Sequence, residues 1–325
     1  MKKNFMITVI CVLLIFLVIN PALNIDSFFL GVQVWATAIL PALFPFLFFT
    51  KLLSFFGLPE KIGSVLSPIT QKLYRTDGIS GYIYTMSILS GYPVGAKLTS
   101  DFYELKLIDK GQARRITAYT STSGPLFIVG TVGVGMFLNQ TAGLIILAAH
   151  FIGALLNGLL YRNIGYDKTE NKKVRTLTIE DMQKINKNIL EESMINTIKS
   201  IMIIGGYIAI FFMLITLLNN YHLFLPIEFL LSQIFPLLPP NFITSLINGM
   251  VEVTRGCLDL SKSITDIKTL IIFGTALISF GGLSVFFQAY TFLKKIEISA
   301  KLYLLQKFTH CIISTAIASV LCFFI

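Results

Sequence analysis

Apolar runs close to membrane-spanning length recur from Phe5 to Ile325, and this repetition constrains the fold more than any other feature. A helix needs about 20 consecutive apolar residues to cross a hydrocarbon core. Runs approaching that length stand at 5–19, 31–56, 142–161, 199–218, 223–250, 269–293 and 302–325. Only 13% of the 325 residues are charged and 54% are hydrophobic, whereas a soluble domain carries about 25% charged residues. The chain therefore reads as an all-α polytopic membrane protein.

The formal net charge of +9 raises the question of nucleic acid. The basic residues form no single patch; they cluster between apolar runs, at Lys2–Lys3, 106–115, 162–199 and 294–307. That is the pattern of cytoplasmic loops under the positive-inside bias, so no nucleic-acid partner is expected. Cys11, Cys257, Cys311 and Cys322 are widely spaced, as are His150, His222 and His310. Their spacing supports neither a disulfide framework nor a metal site, and each histidine reads as packed or interfacial. The start, MKKNFMITVICVLLIFLVIN, resembles a secretory signal, but no small-x-small cleavage site follows. An uncleaved first transmembrane helix within residues 1–30 is the favoured reading.

Several apolar runs are broken. Pro41 and Pro45 interrupt 31–56, so a kink is expected there. Residues 57–78 read as a loop with a short amphipathic helix. The stretch SILSGYPVGAK, residues 87–97, places two glycines, a proline, a tyrosine and a lysine after the apolar run 79–89. A polar stretch at 99–115 follows and reads as solvated loop. The run 116–138 is broken at TSTSGP, residues 120–125. Residues 162–197 form the longest hydrophilic segment and read as a linker ending in a surface helix.

Order and spacing suggest an internal duplication, with repeats at 31–161 and 198–325. FPFLFFTKLL (44–53) aligns with GYIAIFFMLITLL (206–218), SILSGYPVGAK with SLINGMVEVTRG (245–256), and SGPLFIVG (123–130) with GGLSVFFQ (281–288). Gly91 and Gly124 are 33 residues apart, Gly249 and Gly281 are 32. Unwound backbone survives in hydrocarbon only inside protein or beside water, so four breaks gathered near the midplane would make one polar site.

The candidate site residues follow from the breaks. In the first, Ser90, Gly91, Tyr92, Pro93, Gly95 and Lys97 stand together. The glycines permit close approach of backbone to ligand, Pro93 can open a half-helix, and Lys97 either faces an anion or snorkels to the surface. In the second, Thr122, Ser123, Gly124 and Pro125 bring hydroxyls that can bind a solute, coordinate sodium or satisfy freed carbonyls. Asn248, Gly249, Glu252 and Arg255 form the third group. Glu252 either carries a coupling proton or pairs with Arg255. Gly281, Gly282 and Ser284, with Gln288 beyond, complete the set. No catalytic motif is present, so no enzyme is expected, and no cofactor beyond a coupling Na+ or H+.

SGYPVGAK, STSGPLFIVGTVGVGMF and NGMVEVTRG together resemble the sporulation integral membrane proteins of the YlbJ type, within the broader nucleoside-recognition or Gate-domain group. The resemblance spans about residues 30–320. It implies a fold related to concentrative nucleoside transporters, with two inverted repeats holding re-entrant hairpins and broken transmembrane helices. It also implies transport of dipicolinate, a small planar dianion, from the mother cell across the outer forespore membrane. Half-helix N-termini at Pro93 and Pro125, with Lys97 and Arg255, would suit its two carboxylates. Nucleoside transport and a non-transporting membrane scaffold are the alternatives, and homo-oligomerisation stays open.

Overall fold

A computed structural model describes residues 2–166, 189–234, 236 and 238–325. Among these, the regular elements are all helical. Helix α1 (Lys2–Ile19) ends at Asn20, and α2 (Pro21–Val34) runs through a π-helical turn, Trp35–Ile39, into α3 (Leu40–Phe55). The wide turn lies just ahead of Pro41, which has no N–H to give a regular turn, and Pro45 sits inside α3. The expected irregularity is thus a widened turn.

The 57–78 segment is mostly one helix, α4 (Leu58–Tyr74), between the left-handed residues Gly57 and Arg75, where a loop with only a short amphipathic helix was expected. Helix α5 (Ile79–Ser90) meets α6 (Val94–Glu104) across Gly91–Pro93. The polar stretch 99–115 is also largely helical: α6 extends to Glu104 and α7 covers Lys110–Ile116, capped by Asp109, whose side chain accepts from the Gln112 N–H. After the break at 117–125 comes a π-helical segment, Leu126–Met136, and then α8 (Gln140–Leu160).

Most of the hydrophilic segment 162–197 lies outside the described residues. Its last part, from Ile189, is no separate surface helix; it opens the 32-residue α9 (Ile189–Asn220), with Ser193 and Thr197 buried. Helices α10 (Leu225–Ile234), α11 (Pro240–Val251), α12 (Val253–Ser263), α13 (Ile267–Phe280), α14 (Gly282–Leu293) and α15 (Ala300–Leu321) follow. Among the described residues, five helical stretches are long and apolar enough to cross a membrane: Pro21–Ile39, Gln140–Leu160, Ile189–Asn220, Ile267–Leu293 and Ala300–Phe324.

Apolar side chains lie both in the core and on the outer surface, while many polar ones are buried. Phe49, Val65, Phe229 and Leu230 are exposed, whereas Ser87, Thr122, His150, Asn157 and Ser279 are fully buried. Lipid-facing apolar groups around a polar, hydrogen-bonded interior identify an integral membrane protein. Close helix approach relies on small residues: a Cβ on Gly153 of α8 would stand 2.0 Å from Ser314 Oγ of α15, and one on Gly31 of α2 would stand 2.8 Å from Ala209 Cα of α9. Helix α9 packs along α2 and α3, α8 along α15, α6 against α14, and the 126–136 segment against α12. Basic segments meet at one end, where Lys110 Nζ lies 2.5 Å from Glu297 Oε2, Arg162 donates to the Lys72 carbonyl and Arg115 to the Ile164 carbonyl.

Candidate functional site

Each break has its own local cause. Gly91 adopts φ +75°, and Pro93 stands at the N-cap of α6, where its missing N–H leaves no helical bond unmade. Pro125 plays the same part for the 126–136 segment. In the second half, α11 and α12 lie against each other as a hairpin, because Gly249 and Gly256 let the two backbones touch: a Cβ on Gly256 would fall 2.1 Å from Gly249 Cα. The turn between them is Glu252 alone, extended at φ −142°, ψ 119°, with its side chain accepting the Arg255 N–H at 2.7 Å. The fourth break is made by Gly281 and Gly282, at φ +83° and +72°, between α13 and α14.

The four breaks meet. The backbones of Gly91 and Gly124 are in contact, and Gly282 lies against the carbonyls of Gly249 and Val251. His150 of α8 ties two of them together: its Nε2 accepts the Ser123 N–H at 2.9 Å, and its Nδ1 lies 2.9 Å from Ser279 Oγ. Tyr92 Oη donates to the Ile278 carbonyl at 2.9 Å, linking the first break to the end of α13. Between the breaks opens a narrow cleft of about 60 Å³, walled by apolar residues such as Ile39, Leu43, Ile204 and Val285 and carrying Tyr92, Ser123, Glu252, Thr254 and Gln288 as its polar side chains.

Of the residues singled out by sequence, Gly91, Tyr92, Ser123, Gly124 and Glu252 line this cleft, and so do Thr254 and Gln288 from the same motifs. Others hold the breaks together from behind. Ser90 bonds Thr50, Thr122 bonds Ser87, and Gly95 admits the Thr120 carbonyl. Ser284 accepts from Gln288, and Asn248 bridges Asn219 and Asp259. Gly249 serves the hairpin crossing, and Gly281 and Gly282 supply left-handed backbone.

The two cations are placed away from the cleft lining. Lys97 Nζ lies 2.9 Å from Asp101 Oδ2, one turn along α6, and Lys51 Nζ reaches the same oxygen at 3.5 Å. Asp101, read from sequence as a loop residue, is therefore the shared acid of two lysines. Arg255 turns its guanidinium to Asp259, Nε to Oδ2 at 2.8 Å, and not to Glu252. Glu252, 1% exposed, has no basic side chain within 4 Å among the described residues. Its carboxylate caps α12 and faces the cleft, where a buried acid with no fixed counter-charge can take a proton or a cation.

Sequence reasoning passed over Lys307, which it grouped with loop cations. Lys307 is 2% exposed on α15, with Nζ 2.9 Å from Tyr92 Oη and 4.3 Å from the centre of its ring. The available signal was helical phase: Tyr303, Lys307, His310 and Ser314 recur every three or four residues, and all four are buried on one face of α15.

No protein-family model matches the chain. It is 27% identical over 300 residues to the sporulation integral membrane protein YlbJ of Bacillus subtilis (strain 168), a match that covers 87% of this chain and 73% of that protein. The shared span takes in most of the chain, and the chain is a relative of this YlbJ-type sporulation integral membrane protein.

Proposed function

We propose that the chain is a transporter, not an enzyme, that carries a small solute by alternating access through the cleft between its four helix breaks. The cleft itself carries this reading. Unwound backbone among membrane-length helices is tolerated where it borders a cavity, and here it borders one of about 60 Å³. That is well below the roughly 300–1,000 Å³ of small-molecule sites, so in this reading the breaks part to admit a solute. Apolar walls with a few convergent polar groups are the usual make-up of such sites. A non-transporting scaffold would pack its breaks dry, whereas this cleft keeps Glu252 and Gln288 on its lining.

The order of elements supports two inverted repeats like those of concentrative nucleoside transporters. Each half runs through a long helix, a helix pair meeting at a short break, a second broken helix and a closing helix. The long helices of the two halves pack together, as do the closing ones. In this account the hairpin tips at Tyr92 and Glu252 grip the solute, and Glu252 is the group through which H+ or Na+ would be coupled.

The relative's name points to sporulation, and dipicolinate crossing the outer forespore membrane is the first substrate to test. One observation favours a second substrate. Lys97 and Arg255 already have acid partners, so the cleft lining holds a carboxylate and neutral hydrogen-bonding groups, which suit a neutral nucleoside better than paired free cations would. Purified protein in liposomes, given radiolabelled dipicolinate or uridine with and without Na+ and proton gradients, tests both. Gradient-dependent uptake of either solute is the expected result; flux of neither overturns the transporter reading.

A further inference from the structure

Lys307 stands where three of the four breaks come together. Its Nζ donates to Tyr92 Oη at 2.9 Å and to the Ser121 carbonyl at 3.3 Å, and a Cβ on Gly281 would lie 3.6 Å from it. Tyr92 Oη spends its own proton on the Ile278 carbonyl, so it meets the lysine as an acceptor. An ammonium has three donors, and two of them are assigned here. The ionisable groups around it are Tyr92, Tyr303 (bonded to Ser121 Oγ), Cys311 one turn along α15, and the histidines His150 and His310. No carboxylate among the described residues lies within 4 Å of Nζ.

A buried cation among membrane helices normally has a partner in the fold or a function that supplies one. Two other cations near the breaks have acid partners: Lys97 shares Asp101 with Lys51, and Arg255 pairs with Asp259. Lys307 is left with neutral acceptors, one of which, Tyr92, is also a wall of the cleft. We propose that Lys307, held behind Tyr92, is the cationic group that gives the cleft its preference for a carboxylate-bearing solute. This rests on reading the cleft as a solute site. A carboxylate entering beside Tyr92 takes the unassigned N–H of Lys307, directly or through a shift of the tyrosine ring, and supplies the missing negative charge.

The test uses thermal unfolding of the purified full chain with dipicolinate, its neutral diamide, or chloride and phosphate as added ligand. Dipicolinate should stabilise the unmodified chain more than the diamide does. Lys307→Met should weaken the dicarboxylate by about tenfold or more while the diamide is unaffected, since it loses a charged hydrogen bond. Lys307→Arg should restore part of the preference; a merely structural lysine would change both ligands together. Should the methionine variant fail to fold, Lys307→Gln, which keeps a donor without the charge, takes its place with the same expectation. Undiminished dicarboxylate preference in the neutral variant overturns the proposal, and so does equal stabilisation by chloride or phosphate. No preference in the unmodified chain overturns it as well, while uridine flux in liposomes would leave the transport reading standing.

Discussion

The two hairpin tips do the same job with different chemistry. At the first, between α5 and α6, the backbone turns on Gly91 in the left-handed region and restarts at Pro93, and the side chain on the cleft lining is Tyr92. At the second, between α11 and α12, no glycine makes the turn; Glu252 makes it in an extended conformation and caps the new helix with its own carboxylate. The first tip separates structure from function, with glycine and proline shaping the chain and tyrosine facing the cleft. The second joins them in one residue, so a change at Glu252 alters the fold and the site together.

The largest expected effects lie in the packing behind the tips. A Cβ on Gly95 would fall 1.9 Å from the Thr120 carbonyl oxygen, and one on Gly256 2.1 Å from Gly249 Cα. Both contacts are with backbone, which yields little. Gly95→Leu and Gly256→Leu should each abolish monodisperse protein in size-exclusion chromatography, with overpacking costs of about 3 kcal/mol or more. Normal elution of either variant would show that its hairpin is not packed as described.

At the tips themselves the comparison predicts different outcomes. Glu252→Gln keeps an acceptor for the Arg255 N–H, so the unfolding midpoint should hardly move while solute flux falls about tenfold or more, in keeping with the loss of a charged hydrogen bond. Glu252→Ala should lose the cap as well, at about 1 kcal/mol. Tyr92→Phe, by contrast, leaves the turn intact and removes only the hydroxyl that Lys307 and Ile278 share. If glutamine at 252 supports full flux, the carboxylate is a cap and nothing more.

Smaller effects separate the two acid-paired cations. Asp259→Ala leaves Arg255 and Asn248 without a shared partner and should destabilise by about 1–3 kcal/mol in chemical denaturation. Lys97→Ala removes one of the two lysines on a partly exposed Asp101, worth about 1 kcal/mol, and it should leave flux unchanged if the cleft is the site. Loss of flux in that variant would return Lys97 to the position that its motif first suggested.

The smallest effect concerns an exposed cap that mirrors Glu252. Asp266 accepts the Thr269 hydroxyl and N–H at 2.5 and 2.9 Å, and these bonds hold its carboxyl below the usual range. A depressed folded-state value means that its contribution is complete above about pH 4, the unfolded value, and fades as pH falls through the folded one. Asp266→Asn should flatten that acid limb slightly in a pH series of unfolding midpoints and leave neutral-pH stability nearly unchanged, since asparagine caps well.

Much of this was legible in sequence because it rests on local rules. Glycine and proline announce where a helix breaks, and Gly91, Pro93, Gly124, Pro125, Gly281 and Gly282 all stand at breaks. The hairpin turn at Glu252 carries a different signal, a carboxylate directly after an apolar run. What was not legible depends on direction. Lys97 lies beside the first break in sequence, but α6 turns its side chain towards Asp101, and the polar run 99–115 hid the helix that makes them i, i+4 neighbours. Lys307 lies far from every break in sequence and reaches three of them only through the packing of α15.

Solute-protected labelling of the cleft tests the central claim most directly. Gln288 is buried in the cleft wall, and a Gln288→Cys variant in liposomes can be treated with a membrane-impermeant maleimide from either side. Mass spectrometry then separates the new cysteine from the native ones. Alternating access predicts labelling from both sides, slowed by the transported solute. No labelling from either side, or labelling that no tested solute slows, would contradict a solute pathway between the four breaks.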